Sequence, residues 1–286
     1  MTDLLQLLVF GIVFGSILTL GAIGVSLIFG ILRFAHFAHG DMMTVGAYFA
    51  LVFVVQAGWP IYMALPAAMI GAAVLAILID QSVYRRLRRT APVILLISSF
   101  GMALLLRAAA QLIWGTDNQV YQPGINVPYV VFDIRIKPDH LVIVGASVIL
   151  VFAFHLFLKM TRMGKAMRAM SDNVDLARVS GIDSERVVIW TWVIGGALAA
   201  AAGVLLALDT RLNPQLGWNV LLPIFAATIV GGIGRVYGAI AGGMFIGIAT
   251  ELSTAVLLPA YKPAVAFTLM VLVLILRPQG LVRGMN

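Results

Sequence analysis

The sequence of 286 residues contains no cysteine and few charged residues. Without cysteine the chain can form neither a disulfide nor a thiolate metal site. Only 11% of the residues are charged while 62% are hydrophobic, and the mean hydropathy is +1.03. A soluble globule of this size cannot bury so much apolar surface. The composition therefore predicts an all-α, polytopic helical membrane protein.

Sequence signals of catalysis are also missing. The histidines His36, His39, His140 and His155 do not share a helix face with carboxylates at metal-ligand spacing. Neither a nucleophile elbow nor a zincin motif occurs, and no Walker-type ATP-binding loop is present. We therefore expect no catalytic residue, no metal site and no cofactor, and we expect any ATP hydrolysis to take place on another chain.

The net charge of +7 would suit a nucleic-acid partner, but the cations lie between apolar runs, where lipid headgroups and topology explain them. No charge lies between Asp3 and Arg33. As a helix this stretch would be roughly 43 Å long, whereas the hydrocarbon core of a bilayer is about 30 Å thick. Tilt, or a break near Gly21, Gly24 or Gly30, would resolve this mismatch. The whole chain predicts one transmembrane domain, residues 1–286, with about eight to nine transmembrane helices, some of them broken or re-entrant.

The distribution of Lys and Arg predicts the orientation. If the basic loop at Arg85–Arg89 is cytoplasmic, most cations share its side. The exceptions on the opposite side are Arg135, Lys137, Arg211 and Lys262. The N-terminus lacks the basic region of a signal peptide. We therefore expect an external N-terminus, a cytoplasmic C-terminus, and an external loop at residues 115–138 that contains a short extended hairpin.

Residues 159–186 form a charged segment between apolar spans. Met163, Ala166, Met167 and Met170 recur at helical spacing, so its first half predicts a short amphipathic helix. Asp172 or Asn173 could cap a second short helix that ends at Gly181, and Ser184 could cap the long apolar helix that follows. A solvated loop that only fixes topology is the alternative interpretation.

The pattern T-x-x-G-x-x-x-R-A-x-x-x-N-x-x-x-A-x-x-x-G-I in this segment resembles the cytoplasmic coupling segment of the branched-chain amino acid permeases (LivH type) of bacterial ABC importers. The resemblance implies a set of residues that contact an ATPase. They are Gly164, Arg168, Ala169, Asn173, Ala177, Gly181 and Ile182.

A second resemblance lies at Phe37-Ala38-His39-Gly40-Asp41, which is similar to the family signature N-F-A-H-G-(E/D), with His36 at the position of the usual Asn. Ionisable groups at membrane depth usually line a cavity or pathway, whereas an interfacial loop would leave them facing headgroups. Residues 31–41 are either a cytoplasmic turn or a midplane break. The resemblance favours a substrate pathway. Its candidate residues are His36, His39, Gly40, Asp41, Arg107 and Glu251.

The third signature is rich in glycine and resembles G-G-x-G-(S/T/R)-x-x-G-A-x-x-G. Its glycines are Gly231, Gly232, Gly234, Gly238 and Gly242. Its flanks are membrane spans, so close helix packing around a re-entrant bend is favoured over phosphate binding. The spacing of Gly30, Arg33 and Gly40 recurs at Gly232, Arg235 and Gly242, which indicates a duplicated fold. The C-terminal Arg277-Pro278-x-Gly280-Leu281 also matches the family.

Arg107 and Glu251 are charges inside otherwise apolar helices. Two interpretations stay open for them. They pair with each other across a dry helix interface, or each reaches water or headgroups independently.

The family resemblance implies a bacterial inner-membrane permease subunit for leucine, isoleucine, valine or related amino acids, amides or urea. It also implies a second homologous permease in a heterodimer, two cytoplasmic ATPase subunits, a periplasmic substrate-binding protein and surrounding lipid, with no nucleic acid. An ion-coupled secondary transporter or a channel that works without ATPases is the alternative.

Overall fold

A computed structural model describes residues 2–88, 90–121, 128–131, 134–277 and 280–281. These residues form twelve α-helices and one two-stranded sheet. The helices are α1 (Thr2–Leu32), α2 (Ala38–Leu51), α3 (Ile61–Ile79), α4 (Arg85–Leu87), α5 (Pro92–Trp114), α6 (Pro138–Met160), α7 (Arg162–Asp172), α8 (Val174–Val179), α9 (Ser184–Asp209), α10 (Leu216–Gly231), α11 (Val236–Leu252) and α12 (Lys262–Leu276). Short π-helices, Val52–Gln56 and Asp80–Tyr84, extend α2 and α3.

Eight helices in the described part of the chain are long and apolar enough to cross a membrane, and α10 is a shorter apolar helix. The prediction of a polytopic helical membrane protein is thereby confirmed. Of the two alternatives for α1, tilt or a break, the break does not occur, because α1 continues through Gly21, Gly24 and Gly30 to Leu32. These glycines instead allow neighbouring groups to approach the helix closely.

The helices divide into an inner and an outer set. In α1, α2 and α9, more than two thirds of the most apolar window is buried, whereas only 6% of that window is buried in α12. The helices α3, α5 and α6 are also largely exposed. Since the exposed side chains of the outer helices are mainly apolar, these helices present their outer faces to lipid or to another membrane protein.

A β-hairpin marks one side of the molecule, which we call the hairpin side. Its strands β1 (Tyr129–Val131) and β2 (Ile134–Ile136) pair antiparallel, as predicted for residues 115–138. The Gln6 side chain fixes the hairpin to α1, since its Nε2 donates to the Arg135 carbonyl at 3.0 Å. Tyr121 donates its hydroxyl to the Ala47 carbonyl of α2 at 3.0 Å, and burial raises the pKa of Tyr121 well above its ordinary value. The predicted loop residues Pro123, Gly124 and Asp133 lie outside the described residues.

Two non-helical breaks lie toward the opposite side of the molecule, which we call the α7 side. The first break (residues 33–37) joins α1 to α2, and the second break (residues 232–235) joins α10 to α11. The first break turns back into the protein, because a β-carbon on Gly24 would lie 2.6 Å from Cε1 of His39. Gly24 precedes the end of α1 by roughly 12 Å of helix. Phe34 and His36 of the break are buried, whereas Arg33 is exposed. Most of the irregular backbone is therefore enclosed by protein, as a break inside a bilayer would require.

Candidate functional site

The first break places two histidines inside the protein. His36 is 1% exposed, and its Nε2 lies 3.1 Å from the hydroxyl of Tyr84. The edge of its ring meets Trp192 at a centroid distance of 5.0 Å. His39, in the first turn of α2, is fully buried beside Gly24. Its ring interacts with the Gly21 backbone, but neither ring nitrogen makes a hydrogen bond of full geometry with a described group. The two histidines thus keep hydrogen-bonding capacity that is not fully used, which buried groups rarely show.

An ion pair follows in the first turn of α2. Asp41 is fully buried, and its carboxylate accepts hydrogen bonds from Nε and Nη2 of Arg107 at 2.9 and 3.1 Å. The guanidinium also stacks on Trp218, with Cζ 4.5 Å from the ring centroid. Arg107 is the more accessible partner, with 16% of its side chain exposed. Its geometry is the bidentate fork that a carboxylate accepts best, and Asp41 also lies favourably near the N-terminus of α2.

The predicted pairing of Arg107 with Glu251 is wrong. Glu251 instead accepts from Nζ of Lys262 at 2.6 Å, across the turn between α11 and α12. The alternative interpretation does not describe them either, because each charge has an ion-pair partner, although 16% of the Arg107 side chain is exposed. The sequence interpretation considered only charges inside apolar runs as partners for Arg107, and it left residues 31–41 as either a cytoplasmic turn or a midplane break. In the structure Asp41, in the first turn of α2, is the carboxylate that faces Arg107 of α5.

A second set of charged side chains, which sequence reasoning missed, lies between the first break and the start of α9. Asp80 is 2% exposed and forms a salt bridge with Arg88. Arg88 also contacts Glu185 in the first turn of α9 at 3.1 Å. Tyr84, on the same π-helix as Asp80, stacks on Trp192 with the rings 13° from parallel. The Asp80 π-helix thus carries both a charged group that reaches Glu185 and the tyrosine whose hydroxyl contacts His36.

The glycine-rich bend is a site of very close backbone packing, as predicted. A β-carbon on Gly231 would collide with the Gly238 carbonyl, and one on Gly242 would collide with the Ala227 carbonyl. Gly232 and Gly234 take positive φ of 107° and 79°, a conformation that glycine adopts without strain.

The C-terminal motif completes the second break. A β-carbon on Gly280 would lie 2.6 Å from the Gly232 nitrogen, and the Leu281 amide donates to the Val230 carbonyl at 2.8 Å. Pro278 and Gln279 of that motif lie outside the described residues.

The charged segment folds as the two short helices α7 and α8. Thr161 caps α7, Asn173 caps α8 by accepting from the Leu176 amide at 3.0 Å, and Gly181 has φ of 83°. Asn173 and Gly181 act as the sequence predicted. The cap of α9 is Asp183 rather than the predicted Ser184, since its carboxylate accepts from the Arg186 amide.

The predicted ATPase-contact residues divide between two faces of this segment. Gly164 and Ala177 are buried against the protein itself, and a β-carbon on Gly164 would collide with the end of α6. Ala169 and Ile182 are half-buried. Arg168, Asn173 and Gly181 are exposed. An apolar pair that sequence reasoning missed lies on the exposed face of α8, where Leu176 is 64% and Val179 is 87% exposed. Two apolar residues three positions apart lie on the same face of a helix, so their presence in a polar segment was the sequence signal for this exposed pair.

Comparisons with known proteins agree with this arrangement. The family model described as branched-chain amino acid transport system / permease component matches residues 7–274. The chain is 34% identical to the high-affinity branched-chain amino acid transport system permease protein LivH of Escherichia coli, over 97% of this chain and 94% of that protein. It is 32% identical to BraD of Pseudomonas aeruginosa, described as a permease protein of the same kind of system, over 97% and 95% of the two chains.

A solved structure shows the same fold. PsaBC from Streptococcus pneumoniae, in complex with Fab, superposes with a TM-score of 0.55 at 15% identity, over 97% of this chain and 92% of that chain. At that identity the likeness concerns the fold alone. The extent of the family match and the LivH relationship together establish that the chain belongs to the family of branched-chain amino acid transport permeases.

Proposed function

We propose that this chain is the membrane-spanning permease subunit of an ABC importer that carries branched-chain or closely related amino acids across the bacterial inner membrane. The names of its relatives support the substrate class. The observation that carries the proposal is the Asp41–Arg107 ion pair, held at membrane depth and reaching the surface between α5 and α10.

This surface is a poor match for lipid. A guanidinium that is partly exposed at membrane depth is costly against hydrocarbon unless it lines a protein interface or a cavity. Around it lie Phe100 and Leu104 of α5 and Leu222 of α10, all more than 40% exposed. We therefore assign the α5–α10 face to the second permease and to the substrate pathway between the two subunits. Arg107 there can meet a substrate carboxylate while the neighbouring apolar side chains contact an aliphatic side chain.

The segment 162–182 suits the role of an ATPase dock. Leu176 and Val179 project as an apolar anchor, and the same segment carries exposed cations, among them Arg168 and Arg178. Buried apolar anchors with a charged rim are typical of protein interfaces. The concentration of Lys and Arg on the α7 side supports a cytoplasmic location for that side, which puts the hairpin side and the N-terminus outside and leaves the hairpin side for the binding protein.

Reconstitution tests this function. The chain is purified with its second permease, its ATPase subunits and its binding protein, and uptake of labelled leucine into liposomes is measured with and without ATP. We expect uptake only with ATP and all partners, with competition by isoleucine and valine. Uptake by the chain alone, driven by an ion gradient, would instead support the secondary-transporter alternative and overturn the proposal.

A further inference from the structure

The two helix breaks meet at one residue of α7. Nη2 of Arg33, in the first break, donates to the carbonyl of Ser171 at 2.7 Å. The hydroxyl of the same Ser171 donates to the carbonyl of Gly234, in the second break, at 3.4 Å. Ser171 lies in the last turn of α7, immediately before the exposed residues of the proposed ATPase dock. Ser171 is therefore one residue of the segment that faces the ATPase, and it contacts both breaks.

The backbone at this junction is built for the contact. Arg33 has φ of 59° and is the one residue other than glycine with positive φ in the described part of the chain. Such a conformation costs energy that surrounding contacts must offset. Gly30 completes the junction, because a β-carbon there would lie 2.9 Å from Oγ of Ser171 and 3.3 Å from the Gly234 carbonyl oxygen. The absence of a side chain at Gly30 allows α1, α7 and the second break to meet.

Space for movement lies next to the junction. A partly open cleft of about 140 Å³ lies between the end of α1 with Phe34 of the first break and Met170 and Val174 of the charged segment. The hydrogen bonds at Ser171 therefore provide a polar connection between α7 and the first break at a place where apolar packing between them is incomplete.

We propose that Ser171 is a positioning residue that transmits movement of α7 to the first break, and so to Asp41, while the second break stays fixed. The short bond from the charged Arg33 is the stronger of the two connections. The longer bond to Gly234 joins α7 to a bend that glycine contacts already hold. This inference rests on the proposed function, since it assumes an ATPase docked on α7 and α8.

The test uses the complete importer in liposomes and measures ATP hydrolysed per leucine transported. Arg33→Ala removes the strong connection, Ser171→Ala removes the weak one, and Gly30→Ala adds a carbon that displaces Ser171. We expect Arg33→Ala to raise the ratio about tenfold, the factor for one lost charge-assisted hydrogen bond. Ser171→Ala should raise it less, because the Ser171 carbonyl still accepts from Arg33. Arg33→Lys should restore part of the coupling.

Arg86→Ala is the matched control, because Arg86 is an exposed arginine that lies outside the segment 162–182. We expect a wild-type ratio for it. Equal ratios in wild type, Arg33→Ala and Gly30→Ala would overturn the inference. If Arg33→Ala does not assemble, Arg33→Lys and Gly30→Ala decide the question by the same ratio. Absence of ATP-dependent uptake by the wild-type importer would instead count against the proposed function, so the two failures are distinguishable.

Discussion

The two helix breaks share a sequence pattern but have opposite surroundings. Gly30, Arg33 and Gly40 at the first break have the same spacing as Gly232, Arg235 and Gly242 at the second. The second is closed by backbone contacts of glycine with carbonyl groups, on both sides of the bend. The first is lined by side chains, among them two buried histidines and an ion pair.

This difference indicates which of the two breaks can move. Backbone contacts between glycines leave no room for relative displacement, since any shift produces a collision or a void. Hydrogen bonds and an ion pair can exchange partners, and the unused polar atoms of His36 and His39 offer alternative partners. We therefore regard the second break as a fixed support and the first break as the part that changes during transport.

The largest effect, a loss of folded protein, is expected from adding a side-chain carbon at the second break. Gly231→Ala adds a β-carbon that collides with the Gly238 carbonyl, and both α10 and α11 must separate to relieve it. We expect little or no folded protein in the membrane, measured by the monodisperse fraction after detergent extraction. Gly101→Ala is the control, because the space around Gly101 in α5 is open. Equal yields of the two variants would show that the second break is not rigid.

The next largest effect is expected from breaking the Asp41–Arg107 ion pair beside the first break. Arg107→Gln leaves the buried Asp41 without a countercharge, at a cost of about 3–5 kcal/mol in the free energy of unfolding. Adding Asp41→Asn should recover most of that stability, because no charge is then stranded, while leucine uptake stays low. Thermal unfolding in detergent and uptake in liposomes measure the two effects. Simple additivity of the two substitutions would argue against a direct interaction.

How far the sequence predicts this molecule depends on the range of the interactions. The spans follow from local hydropathy, and the roles of Asn173 and Gly181 follow from local backbone chemistry. The Asp41–Arg107 and Asp80–Arg88 pairs depend on where the first break places α2 and on the burial of Asp80. Neither can be read from charges counted along the chain. The inward orientation of Gly164 and Ala177 likewise depends on how α7 and α8 pack on α6 and α9.

A smaller effect is expected at the proposed ATPase dock. Val179→Asp places a charge on a residue that is 87% exposed, so folding and insertion should be unchanged. Substrate-stimulated ATP hydrolysis should fall about tenfold, as for loss of one apolar anchor at an interface. Ser180→Asp is the control, with the same new charge at a neighbouring exposed residue. Unchanged stimulation in Val179→Asp would favour a segment that serves only as a topology signal.

The smallest effect is expected far from both breaks. Lys262→Met removes the partner of Glu251, but Lys262 is 31% exposed on its side chain and water can partly replace it. We expect a loss of about 1 kcal/mol or less in unfolding free energy, with normal uptake. A loss as large as that of Arg107→Gln would show that polar pairing at the first break is not exceptional in this fold.

Pulsed electron resonance on spin-labelled cysteine pairs tests the central claim most directly, because the chain has no native cysteine. One pair, at Gln56 and Val256, reports the far end of α2 relative to the far end of α11. The control pair, at Leu222 and Phe245, lies within the α10–α11 unit. All four positions are exposed in the isolated chain, and Leu222 would face the second permease, so the label there is attached before the importer is assembled. When the importer passes from the nucleotide-free to the ATP-trapped state, the first distance should change by several ångströms and the second should not. An unchanged first distance, or equal changes in both, would contradict a mobile first break on a fixed second one.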